Sequence, residues 1–239
     1  MPEFELLSDI HSNEWKTKLN YDAMFPAKAP TLILAGDIGK PEFSSLHNLL
    51  RYVCTKYKDI IYVPGNHEFY DKPPHEVISW FKKVDDEFTN FHFFYRRTQI
   101  IDGVRIIGAT GWCTAPHETI YSHTISNEGK KDINFINQTL SKATEPTLVV
   151  THYAPSLRCV NGPVKDFLKK YDYAQDLEYM FRPPIKAWIF GHIHQDYDFT
   201  VPYSSSMFGL GNVRLLCKPY GKPSDPHMNI TKAFRFILG

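Results

Sequence analysis

Six short apolar runs constrain this chain more than any other feature: "FELL" (4–7), "TLILA" (31–35), "DIIYVP" (59–64), "RIIGAT" (105–110), "TLVV" (147–150) and "AWIF" (187–190). Each has strand length, and most are nearly continuous rather than alternating, which marks strands covered on both faces. Stretches of helical period lie between them. Leu46, Leu49, Leu50, Val53, Cys54 and Tyr57 fall on one face of a helix. Val77, Ile78, Phe81, Val84 and Phe88 repeat the pattern behind Pro73 and Pro74, a helix start, and Ile133, Ile136, Leu140 and Ala143 predict a third helix over 130–143. Residues 99–110 read as a hairpin turning at Asp102-Gly103. After residue 199 the strand-like pieces "FTVPY", "VRLLCK" and "AFRFIL" are parted by Ser, Gly and Pro. The expectation is an α/β fold with a strand-rich tail. No linker, repeat or low-complexity tract interrupts 1–239, so a single domain is expected.

Composition removes several classes of function. A net charge of +1 over 239 residues offers no broad field for nucleic acid or an anionic membrane surface. No apolar segment approaches the ~20 residues of a membrane span, and "MPEFELLSDIH" carries no basic leader, so a cytoplasmic protein is expected. Cys54, Cys113, Cys159 and Cys217 are far apart and form no CxxC pattern. They read as free thiols of a reducing compartment rather than a zinc knuckle or redox pair. Nothing in the sequence sets an oligomeric state.

The ends of the apolar runs carry the chemistry. In α/β architectures ligands gather where loops leave the carboxyl ends of strands. After "FELLS" come Asp9 and His11; after "TLILA", Gly36-Asp37; after "DIIYVP", Gly65-Asn66-His67-Glu68. After "TLVV" comes His152, and after "AWIF" come Gly191, His192 and His194. Taken singly, each has an ordinary structural explanation: a capping Asp, a turn, a hydrogen-bonded core histidine. Five such clusters, in order and each just behind a strand, predict a shared metal site. Oxygen and imidazole donors without thiolate suit Mn²⁺, Fe, Zn²⁺ or similar first-row ions. Seven candidates are too many for one tetrahedral ion and about right for two ions sharing a bridge.

This ordered set resembles the calcineurin-like metallophosphoesterases. The resemblance implies a four-layer α-β-β-α sandwich, two packed mixed β-sheets flanked by helices, with a dinuclear centre on one rim. By motif position it implies one metal held by Asp9, His11, Asp37 and His194, and a second by Asp37, Asn66, His152 and His192, with Asp37 bridging. A hydroxide held between the ions would attack phosphorus, and His67, which binds no metal, would give a proton to the leaving oxygen. The implied substrate is a small-molecule phosphate ester, a diester first and a monoester as the alternative, with nucleic acid not the expected partner. A scaffold that kept the fold and lost the chemistry is the non-enzyme alternative. Serine/threonine phosphatases of this superfamily carry "GDxxDRG", whereas "GDIGKPE" (36–42) lacks the second Asp and the Arg. The resemblance is therefore to the smaller phosphodiesterase-like branch, and no partner for His67 is identifiable.

Asn66, His67, Tyr153 and Trp112 are the candidate substrate contacts, with Tyr70 close by. Trp112 opens "GWCTAPHETIYSHT" (111–124), which also holds His117, Tyr121 and His123. That segment either covers the metal rim or packs its aromatics inward. Lys165, Lys169, Lys170, Arg96 and Arg97 read as solvated surface.

Overall fold

A computed structural model describes residues 1–113, 120–160, 167–225 and 232–238, without the side chains of 120–125 and 167–169. The first half runs β1 (Glu3–Leu7), α1 (Tyr21–Met24), β2 (Thr31–Ala35), α2 (Ser44–Cys54), β3 (Asp59–Val63), α3 (Pro74–Glu87) and β4 (Phe91–Phe93). The second runs β5 (Arg97–Ile101), β6 (Val104–Gly108), α4 (Ile120–Leu140), β7 (Thr147–Val150), β8 (Ile185–Phe190), β9 (Tyr197–Ser205), β10 (Gly209–Cys217) and β11 (Phe234–Ile237).

Two mixed sheets result. One has the order β11-β1-β2-β3-β4 and the other β5-β6-β7-β8-β10-β9. β1 to β4 are mutually parallel, as are β6, β7, β8 and β10, while β11, β5 and β9 pair antiparallel at the edges. Parallel strands need cover on both faces, and alternation within each strand provides it. In β2, Ile33 and Ala35 point into the layer between the sheets, where they meet Phe4, Ile61, Ile106, Leu148 and Ile189. Leu32 and Leu34 point the other way, onto Leu49, Val53, Val77 and Phe81 of α2 and α3. On the far side Ile136 and Leu140 of α4 pack with Trp188 of β8. Helices, sheet, sheet, helices: the sandwich has the expected four layers.

The elements with a strong period lie where the sequence puts them, and β2 and β7 coincide with their apolar runs. The hairpin turns at Asp102 (φ 48°) and Gly103 (φ 81°), the left-handed pair of a tight two-residue turn. Three features differ from expectation. α4 begins at Ile120 rather than near 130, because its first half, with Asn127 and Gly129, carries no apolar stripe. β4 and α1 are three and four residues long, too short to show a period. Arg96 is not a solvated cation: it bonds Glu128 Oε2 at 2.9 Å and the fully buried Asp132 Oδ1 at 2.7 Å. The other Asp132 oxygen accepts from Gly111 N at 2.8 Å, so the pair ties α4 to the segment after β6.

The layer between the sheets holds them in register, and Ile189 is fully buried within it. Ile189→Ala is expected to cost about 2–5 kcal/mol, measured as a lower urea midpoint with little change in the slope of the transition.

Candidate metal centre

The loops leaving β1, β2, β3, β7 and β8 meet at one rim. Their backbones are unusual. Among the described non-glycine residues with positive φ are Asp9 (52°), His11 (47°), Asp37 (55°), His192 (70°) and His194 (52°). Left-handed conformations away from glycine cost about 1–3 kcal/mol each and persist only where the surroundings fix them. Here the turns hold one another: Asp9 N donates to Gly36 O at 2.9 Å, His11 N to Asp37 O at 2.9 Å, and His192 N to Asp9 Oδ1 at 3.0 Å.

Glu68 is the strongest of these ties. Its buried carboxylate accepts from the backbone N–H groups of Asp37 (3.0 Å), Ile38 (2.7 Å), Gly39 (3.3 Å) and Gly65 (2.8 Å), and from Tyr62 Oη (2.7 Å). Burial and, next, the Asp37 carboxylate push its carboxyl up to about 7; the donors pull the other way, and a proton on it would displace one of them. The glycines obey the same crowding. A Cβ at Gly36 would come within 2.4 Å of His152 Nδ1, and one at Gly65 within 2.2 Å of Asp37 Oδ1.

Within this frame the donor atoms converge. Asp37 Oδ1 accepts from His67 N at 2.8 Å. Oδ2 is left 3.3 Å from His152 Nε2, 3.8 Å from His11 Nε2 and 3.9 Å from His67 Nε2. Asp9 Oδ1 lies 3.4 Å from His194 Nε2, and Asn66 Oδ1 lies 3.0 Å from His152 Nε2. Three groups can each bring donor atoms within 4.8 Å of one another: Asp9, His11 and His194; Asp37, His152 and His192; and His11, Asp37 and His67. All seven expected ligand candidates thus sit at one rim, with His67 on the border between the groups.

The imidazoles are aimed from behind. Nδ1 of His152 bonds Ala35 O at 2.9 Å and Nδ1 of His194 bonds Asp225 Oδ2 at 2.6 Å, which turns both Nε2 atoms inward. His192 is reversed, with Nε2 at 3.2 Å from Asp172 O and Nδ1 left to the site. The Nε2 atoms of His11 and His194 are 3.2 Å apart, and facing lone pairs at that distance require a proton or a cation between them. Two carboxylates, an amide oxygen and four imidazoles without thiolate fit a divalent cation of the first transition row.

The match to known proteins decides the family. Residues 5–196 match the family described as calcineurin-like phosphoesterase. The chain belongs to the calcineurin-like phosphoesterases.

A curated relative is an uncharacterized protein of Acanthamoeba polyphaga mimivirus, 26% identical over 79% of this chain and 81% of its own length. Among solved structures, a phosphopantetheinyl hydrolase from Mycobacterium tuberculosis superposes with a TM-score of 0.67 at 15% identity, covering 98% of this chain and 95% of that one. A dimetal phosphatase from Danio rerio gives 0.61 at 14% identity, covering 99% and 92%. At such identities these two likenesses speak for the fold.

Against the family frame, the remaining candidates sort by position. Tyr153 packs its ring 4.2 Å from that of His192. Trp112 stands one ring further back: it is 7% exposed, with its ring 5.7 Å from Tyr153 and 5.7 Å from Phe69. Inward packing therefore describes Trp112. His117 and Lys165 lie outside the described residues, as do the side chains of Tyr121, His123 and Lys169. Tyr70 accepts from Asn66 Nδ2 at 2.7 Å and sets its ring 4.6 Å from that of His67. Lys40, which stands where the phosphatase branch has its second Asp, turns away to Asp71 at 2.5 Å.

Three residues at the rim escaped the sequence. Glu14 places Oε1 3.9 Å from His67 Nδ1, Lys222 places Nζ 3.2 Å from His67 Nε2, and Asp225 orients His194. Glu14 sits three residues past His11, and the other two sit in the Pro- and Gly-rich "KPYGKPSD" (218–225) just past β10. The one signal in the sequence was that this run, too, lies directly behind a strand.

Protonation divides the histidines. Burial drives His11 down to about 3 and His192 to about 4. Burial acts the same way on His152 and His194, but Asp37 beside the first and Asp9 beside the second outweigh it and carry both up to about 9. At neutral pH these two imidazoles hold protons that a cation must displace. Metal affinity should therefore rise with pH up to about 9 and fall in acid. Calorimetry at pH 7 in buffers of different ionisation enthalpy should show proton release on metal binding; a buffer-independent heat would contradict the assignment.

Glu68→Gln turns an amide N–H toward donors that need an acceptor. It is expected to destabilise the protein by about 1–3 kcal/mol or more and to reduce metal uptake, measured by thermal melting and metal analysis.

Proposed function

We propose that the protein hydrolyses small-molecule phosphate esters, diesters before monoesters, at a centre of two divalent ions. Asp9, His11, Asp37 and His194 would hold one ion, and Asp37, Asn66, His152 and His192 the other, with Asp37 shared. The observation that carries this reading is the position of Asp37 Oδ2, turned toward His152 on one side (3.3 Å) and His11 on the other (3.8 Å). Two donor groups that meet at one carboxylate oxygen are what a bridged pair of cations needs. Bound divalent ions supply Lewis acidity toward the phosphoryl group and lower the pKa of water.

The chain's own residues supply the rest. Asp9 and Asp37, the two carboxylates of the set, leave the loaded centre net positive and attractive to a phosphate oxyanion. His67 shares a donor group with His11 and Asp37, its Nε2 faces into the rim, and in this reading it is left off both ions. From there it would give its proton to the departing oxygen. Glu14, near Nδ1, is the carboxylate placed to orient it, in the role the missing second Asp would otherwise fill. A monoanionic diester asks for fewer cationic clamps than a dianionic monoester, which suits a site without the phosphatase arginine. A net charge of +1 speaks against nucleic acid as substrate, and four unpaired cysteines fit a reducing compartment such as the cytoplasm. Among the described residues no helix is long and apolar enough to cross a membrane.

Purified protein assayed on bis-aryl and mono-aryl phosphates should be inactive with chelator and restored by Mn²⁺, the diester turning over faster. No turnover with any first-row metal would favour a scaffold. His67→Ala should keep its metal and lose about 10²–10⁴-fold in kcat, most severely with poor leaving groups. Asp37→Asn should lose metal and activity together. Metal lost from the first variant, or kept by the second, would overturn the assigned roles.

A further inference from the structure

The loop after β10 places a lysine where the family motifs have none. Residues 218–225 run back along the end of β1: Ser8 N donates to Lys218 O at 2.9 Å, Tyr220 N to Ser8 O at 2.8 Å, and Gly221 N to Asp9 O at 2.9 Å. Tyr220 packs its ring 5.3 Å from Trp15, and Lys222 N donates to Asp225 Oδ2 at 2.6 Å. Pro219 and Pro223 flank the lysine and restrict its backbone. Lys222 is thus tied on the same backbone that presents Asp9.

Its side chain leans into the rim, with 23% of its surface exposed. Nζ lies 3.2 Å from His67 Nε2, and Glu14 Oε1 is 3.8 Å away, beyond a hydrogen bond. An ammonium has three donors and no acceptor. Here one donor faces an imidazole nitrogen, and the others have no hydrogen-bonded protein partner among the described residues. The nearby carboxylates are committed elsewhere: Asp37 to His67 N and Asp225 to His194. This partly exposed cation beside His67 has Glu14 as its nearest anion, in a long ion pair at 3.8 Å, and keeps donors to spare for a closer one.

We propose that Lys222 is a substrate-binding residue that clamps a phosphoryl oxygen of the ester, standing in for the arginine that "GDIGKPE" lacks. This rests on the phosphoesterase reading of the site. On binding, the Nζ–H···Nε2 contact gives way to an Nζ–H···O contact, the ammonium pairs with the phosphoryl anion, and the freed His67 Nε2 takes up a proton from solvent that it can then give to the leaving oxygen. No bond to Lys222 forms or breaks. The clamp is also a selector: one fixed ammonium matches the single negative charge of a diester, and its removal should weaken every phosphate ligand whatever the leaving group.

The test titrates metal-loaded protein with inorganic phosphate by calorimetry, alongside metal content, melting temperature and kinetics on aryl esters. Lys222→Met should weaken phosphate about 10- to 100-fold and lower kcat/KM to a similar extent for good and poor leaving groups alike. Metal content and melting temperature should stay near wild type, and Lys222→Arg should recover most of the affinity. Unchanged phosphate affinity in Lys222→Met, with wild type active, would overturn the clamp while leaving the phosphoesterase reading intact. So would a loss confined to poor leaving groups, the signature of a residue that acts only through His67. Should Lys222→Met lose metal or melt early, Lys222→Gln carries the same comparison. Wild type that neither turns over nor binds phosphate would overturn both.

Discussion

One buried carboxylate holds the rim together. Glu68 gathers a tyrosine hydroxyl of β3 and four backbone N–H groups from two loops that the sheet alone would leave independent. Those N–H groups sit where the chain leaves β2 and β3, beyond the last ladder bond, and would otherwise be buried without partners. Satisfying them fixes Asp37 in a left-handed conformation that an aspartate does not choose freely. That conformation spends Asp37 Oδ1 on His67 N and turns Oδ2 toward three imidazoles. The shared ligand position is thus a consequence of the Glu68 clamp.

The sites of the histidines and aspartates were legible because strand ends are legible. β2 could be placed to the residue, since four consecutive apolar side chains behind Thr31 answer to two cores at once. The residues directly behind such a strand must lie at its carboxyl end, and five strands delivered ligands there. The rest was not legible for identifiable reasons. Glu68 was visible within "GNHE", but its partners are main-chain groups about 30 residues earlier, and backbone N–H groups leave no mark in a sequence. Glu14 and Lys222 meet at His67 from opposite ends of the chain, on loops without period. For Trp112 the sequence left rim cover and inward packing both open, and the aromatics around it close over it.

The electrostatics of the rim couple protons to cations. Asp9 and Asp37 are fully enclosed, and an unpaired buried carboxylate is costly. His194 and His152 answer them with protons of their own, which holds both carboxyls below the usual range against the effect of burial. His11 and His192, further from compensation, stay neutral. Protons therefore occupy the positions that cations need, and ion binding becomes an exchange of charge rather than an assembly of a new site.

One loop links two parts of the rim. Ser8 and Asp9 carry the first candidate ligand on one side of their backbone and the 218–225 loop on the other, through three main-chain hydrogen bonds. Asp225 of that loop orients His194, and Lys222 of the same loop reaches His67. A shift in β10 relative to β1 would move Asp9, the carboxylate that orients His194, and Lys222 together. The side chain at position 222, by contrast, can change without touching any of the bonds that hold the ligands. The geometry of the candidate ligands is therefore written into the main chain and the buried carboxylate, whereas the cation beside His67 is a side chain that the fold can exchange.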